Sequence, residues 1–123
     1  MIDREMLEAA ASAAGLKITF DEVGTAHTQW NGLPWEPIRR NDDSFRLAAA
    51  LRIGLEHSAP GIEKPWVAAR FKDERREILC NEPVCNESER AEAMRMAILR
   101  CAARIGLKNG CERTGSDGNG GAA

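Results

Sequence analysis

The chain has 123 residues, 43% of them apolar and 29% charged, with a formal net charge of −2. That size suits one domain with one modest core. The near balance of charge argues against a general nucleic-acid or membrane-surface binder, which carries a basic excess.

No run of about 18 apolar residues is present, so no membrane-spanning helix is expected. The opening MIDREMLEAA carries acids and lacks a basic start followed by an apolar stretch. It does not read as a signal peptide, and a cytoplasmic location is expected. There Cys80, Cys85, Cys101 and Cys111 should be thiols.

Residues 3–14 predict a first helix, with Asp3 as its cap and Met6, Leu7, Ala10 and Ala14 at helical spacing. Gly15 is placed to end it. In LKITF, residues 16–20, Leu16, Ile18 and Phe20 alternate with Lys17 and Thr19, the pattern of a half-buried strand. A turn follows, with a short strand near His27 and Gln29. Pro34 and Pro37 keep residues 31–40 out of regular helix. Asn41, Asp42, Asp43 and Ser44 are alternative caps for a second helix that runs through FRLAAALRIG. Phe45, Ala48 and Leu51 or Arg52 set its faces, and Gly54 ends it or begins the next element.

IGLEHS reads as a strand. PWVAARFKD alternates Trp66, Ala68 and Arg70 against Val67, Ala69 and Phe71, and EILCN returns antiparallel after the turn KDERR. The last helix opens with Asn86 and Glu89 at capping-box spacing. Ala91, Met94, Ala97, Ile98, Cys101, Ala102 and Ile105 give it a wide apolar face, and Gly106-Leu107 fits a helix stop. The order α-β-α-β-β-β-α predicts an α/β (α+β) fold, a small αβα layered sandwich over residues 1–107. Its sheet lies between helices or under one helical layer. Residues 108–123 are expected to form a disordered, Gly-rich tail.

Certain residues carry a family resemblance. A helix ends in Ala13-Ala14-Gly15, and a Trp-x-Pro loop follows at Trp35-Glu36-Pro37. Next comes Asp43-Ser44-Phe45-Arg46-Leu47-Ala48, and the last helix reads Arg-x-Ala-Ile-Leu-Arg-x-Ala-Ala-x-Ile-Gly from Arg95 to Gly106. Over residues 3–107 the chain resembles the small bacteriophage proteins grouped as the phage ABA sandwich domain. Here Glu36 stands where that family has Asn, and Ile38-Arg39-Arg40 precede the acids. The resemblance implies a layered αβα fold and a phage origin; it implies no established enzyme activity, and none is expected. By analogy with accessory proteins such as anti-CRISPR inhibitors, it implies a protein partner in an infected host.

The chemical candidates each have a plain structural alternative. The spacing C-x4-C-x15-C-x9-C matches no standard zinc ribbon or finger, so no metal or other cofactor is expected. His27 and His57 lack a nucleophile motif, and no phosphate-binding glycine loop is present. Glu36, Asp42 and Asp43 are the right residue types for a divalent cation, but Asp42 and Asp43 are read first as caps. Arg90, Arg100 and Arg104 lie on one side of the last helix and form the alternative, a nucleic-acid face. Interleaved acids favour a solvated surface instead.

Met96 and Leu99 flank the main apolar stripe, so they either pack against another helix or form a partner or self-association patch, as monomer or homodimer. Trp30, Trp35, Arg39 and Arg40 occupy the proline-stiffened loop. Trp35 is expected mainly in the core and Trp30 more exposed, which makes the loop the rim of a protein-binding surface.

Overall fold

The computed structural model describes residues 3–114, with side chains over 3–107. It is a mixed α+β fold of three helices and two small antiparallel sheets. Helix α1 (Arg4–Ala13) starts where the Asp3 carboxylate accepts the Met6 N–H at 2.8 Å. It ends in a Schellman stop: Leu16 N–H donates to Ala11 O and Gly15 N–H to Ser12 O, with Gly15 at φ +74°. Strands β1 (Ile18–Phe20) and β2 (Ala26–Thr28) pair with Ile18 opposite Thr28 and Phe20 opposite Ala26.

Helix α2 (Asn41–Leu51) differs from expectation at its start. None of the four polar candidates caps it; Arg40 is the N-cap and makes no side-chain cap bond. Its stop lies at Arg52, in the left-handed region at φ +56°, with Ile53 N–H donating to Ala48 O. Of the two roles open to Gly54, it takes the second and begins β3 (Gly54–His57). Phe45 is also displaced from its expected role. It is 71% exposed, while Ser44, Leu47 and Ala48 are the buried residues of that helix face.

Strands β3, β4 (Trp66–Lys72) and β5 (Glu77–Pro83) form an antiparallel sheet in that order. The register sets Ala69 against Cys80 and Phe71 against Ile78 on the face that meets the last helix. Among the described residues, the other face, with Trp66, Arg70 and Leu79, lines a pocket to which no helix contributes. Of the two layerings open from the sequence, the sheet under one helical layer is the one observed.

Helix α3 (Arg90–Thr114) follows a 3-10 turn at Glu87–Glu89, where Asn86 Oδ1 accepts the Ser88 N–H. It packs on β4 and β5 and also on α1 and α2. With neighbours on several sides it is buried nearly all round: Ala97, Ile98, Leu99, Cys101, Ala102, Ala103 and Ile105 are all in the core. Leu99 is fully buried, so it belongs to no surface patch.

The expected stop at Gly106 is also corrected, because the helix continues to Thr114. Gly106 is needed for closeness instead. A Cβ there would lie 2.0 Å from the carbonyl oxygen of Ala9. The tail expected over residues 108–123 is helical backbone to 114, and residues 115–123 lie outside the described residues. Among the described residues no helix is long and apolar enough to cross a membrane.

Candidate functional site

The segment from Thr28 to Asp43 folds into a cleft whose backbone is held at many points. Trp35 anchors it: its side chain is 5% exposed and its N–H donates to Ala26 O at 2.8 Å. Before it, Thr28 N–H donates to Leu33 O, Gly32 N–H to Thr28 O, and Leu33 N–H to Asn31 Oδ1. Thr28 Oγ1 also donates to Asn31 Oδ1. The outcome is a tight loop with Trp30 at its tip. Trp30 is 77% exposed and Leu33 60%.

Three side chains from outside residues 28–35 fix its shape. His27 forms a β-bridge with Pro34 through its backbone, and its ring contacts Gly32 O and the Asp21 carboxylate, each at 3.0 Å. Asp43 reaches back from α2 to accept the Glu36 N–H at 2.9 Å. Arg95, on α3, donates to Ile38 O at 2.8 Å and to Asn41 Oδ1 at 2.7 Å.

Between this loop, the end of α1 and α2 lies a cleft of roughly 360 Å³, within the size range of ligand pockets. Its apolar lining comes from Trp30, Leu33 and Pro34 on the loop, Leu47 and Ala50 on α2, and Ala14 and Leu16 after α1. Arg40, Asp42, Asp43 and Arg46 form its polar end. Arg40 pairs with Asp42 at 3.3 Å and lies 3.6 Å from Asp43. The hydrogen bond from Arg40 holds the Asp42 carboxyl below its ordinary value, and the same contact raises Arg40. The two acids are thus turned onto an arginine and the backbone. Among the described residues no group of three or more His, Cys, Asp or Glu side chains is arranged to hold a metal ion.

Of the residues singled out from the sequence, Trp30, Trp35 and Arg40 come together at this cleft. The division between an inward Trp35 and an outward Trp30 is as expected. Arg39 is exposed outside the cleft walls, 3.7 Å from Glu36. Met96 is half-buried on α3, away from the cleft.

The three arginines of the alternative surface are engaged within the molecule. Arg90 pairs with Glu87 at 2.8 Å and meets His57 Nδ1, and Arg100 pairs with Glu82. Arg104 lies 3.5 Å from Leu79 O and 3.8 Å from Cys80 Sγ. Cys80 and Cys101 are buried against each other. The hydrogen bond from the Cys101 thiol lowers Cys80, aided by Arg104, and that bond with burial raises Cys101.

Sequence reasoning missed Leu33, Arg46 and Arg95. Leu33 carried a local signal, an apolar residue between Gly32 and Pro34 in an irregular stretch. Arg95 carried none, because its partners lie more than fifty residues away. Compared with protein-family models, curated proteins and solved structures, the chain matches none.

Proposed function

We propose that the protein is a non-enzymatic binding protein whose partner, another protein, docks on the cleft beneath Trp30. The observation that carries this reading is a 77% exposed tryptophan on a loop that is itself fixed by His27, Trp35, Asp43 and Arg95. Exposing an indole is unfavourable in a free monomer. Holding it on a rigid backbone reduces the ordering cost when a partner covers it.

Tryptophan and arginine are the residue types that dominate interface energetics. Trp30 has Leu33 and Pro34 beside it and Arg40 and Arg46 at the cleft's end. Arg39, at the margin, fits the polar rim of such an interface. The resemblance to phage ABA sandwich proteins supports a phage-encoded accessory protein acting in the cytoplasm of an infected bacterium. Disabling host defence, in the manner of an anti-CRISPR protein, is one such role.

No observation favours the nucleic-acid reading, since Arg90 and Arg100 are already paired with acids. A tagged pull-down from bacterial lysate, with and without nuclease, tests the choice. A dominant protein retained after nuclease supports the binding reading, and capture that vanishes with nuclease overturns it.

A further inference from the structure

The His27 ring sits between two acceptors. Nε2 is 3.0 Å from Asp21 Oδ2, and Nδ1 is 3.0 Å from Gly32 O. A neutral imidazole has one N–H and can satisfy only one of them. Its second nitrogen would then set a lone pair against an oxygen. Only the doubly protonated ring donates to both. The acceptors are well placed: Asp21 Oδ1 is fixed by the N–H groups of Val23 and Thr25, and Gly32 belongs to the loop that carries Trp30. The charged groups facing the ring are Asp21, from the β1–β2 turn, and Glu36, from the segment before α2; both are acidic.

We propose that His27 is a proton-controlled clasp that regulates the Trp30 cleft, fixing the 29–34 loop when charged and releasing one of its two contacts when neutral. This rests on the reading of that cleft as the binding site.

The direction of titration agrees with the geometry. The hydrogen bond to Asp21 comes first among the causes that raise His27 above its ordinary 6.5, and the same bond lowers Asp21 below 3.8. A raised histidine contributes fully below its unfolded value and loses that contribution as pH rises through its folded value. A lowered aspartate contributes above its unfolded value and loses it as pH falls through its folded value. The clasp is therefore closed between about pH 4 and 6.5 and opens on the alkaline side.

The test needs no partner, so its outcome is independent of whether a binding protein is found. Backbone amide shifts of Gly32 and Leu33 and the Trp30 indole N–H are followed by NMR from about pH 5 to 9 in wild type, His27→Gln and Asp21→Asn. The expected result is a common titration in wild type with a midpoint above about 6.5. It should be absent in His27→Gln and have a lower midpoint in Asp21→Asn. Flat shifts in wild type, or a titration that persists in folded His27→Gln, would overturn the proposal. If His27→Gln loses its dispersed spectrum, Asp21→Asn decides, and an unchanged midpoint there overturns the clasp.

Discussion

Arg95 Nε lies 2.8 Å from the carbonyl oxygen of Ile38, which ties the second turn of α3 to the segment before α2. A second bond from the same guanidinium to Asn41 Oδ1 explains why Asn41 does not cap α2: its side chain is already used. One of the ties that fix the segment leading from the Trp30 loop into α2 thus comes from α3.

Removing that tie should be costly. The part-buried bond to Ile38 O, from a charged donor, contributes about 1.5–3 kcal/mol, and the exposed one to Asn41 adds little. Arg95→Ala is expected to lose about 2 kcal/mol of stability, while Arg95→Lys recovers only part because it lacks the forked donor. Urea unfolding followed by circular dichroism gives both values.

A second test addresses the crossing of α1 and α3. With Ala9 O only 2.0 Å from where a Cβ would sit, Gly106→Ala cannot be absorbed by a rotamer change. The helices must move apart, at a cost of about 3 kcal/mol or more. In an exposed helix the same change would stabilise by up to about 1 kcal/mol. The sign of the shift in Tm therefore distinguishes a close-packing glycine from an exposed mid-helix one.

The thiols should separate by exposure. Cys85 is exposed, whereas Cys80 and Cys101 are buried. Iodoacetamide on the folded protein, read by peptide mass spectrometry, should label Cys85 rapidly. Cys80 and Cys101 should be labelled only when denaturant is added. The hydrogen bond from Cys101, aided by Arg104, lowers Cys80, but a thiolate shut from solvent stays unreactive. Rapid labelling of Cys80 in the native state would show that β5 opens away from α3.

The two tryptophans of the loop should differ sharply in stability. Trp35→Ala empties a core site and should cost about 3–5 kcal/mol. Trp30→Ala removes an exposed ring and should stay within about 0.5 kcal/mol of wild type. Thermal unfolding of the two variants checks this directly.

Much of the fold was legible where a local pattern had one physical meaning. Asp3 and Gly15 bracket α1 as read, because caps act within a few residues. The alternation in residues 66–72 and 77–80 gave the hairpin. The division between Trp30 and Trp35 followed from a chain with few aromatics to fill its core.

The failures came where the deciding contact is distant in sequence. Gly106 has the composition of a helix stop, and only the passage of α1 across it reveals the other role. Leu99 lies off the main apolar stripe, and the helices packed on α3 bury it. Arg52 takes the left-handed position, which usually costs a non-glycine residue about 1 kcal/mol, and nothing local marked it. Of the clamps on the cleft, Arg95 stood out only as the first residue of the last-helix pattern, and His27 only as a histidine without a nucleophile motif.

The central claim concerns Trp30, and one comparison tests it most directly. Immobilised wild type and Trp30→Ala, matched for Tm, are exposed to the same nuclease-treated bacterial lysate, and the retained proteins are quantified by mass spectrometry. The prediction is one dominant protein on wild type that falls at least about tenfold on the variant, the loss expected for a hot-spot tryptophan. Equal retention of that protein by both would contradict the assignment of the Trp30 cleft as the binding site.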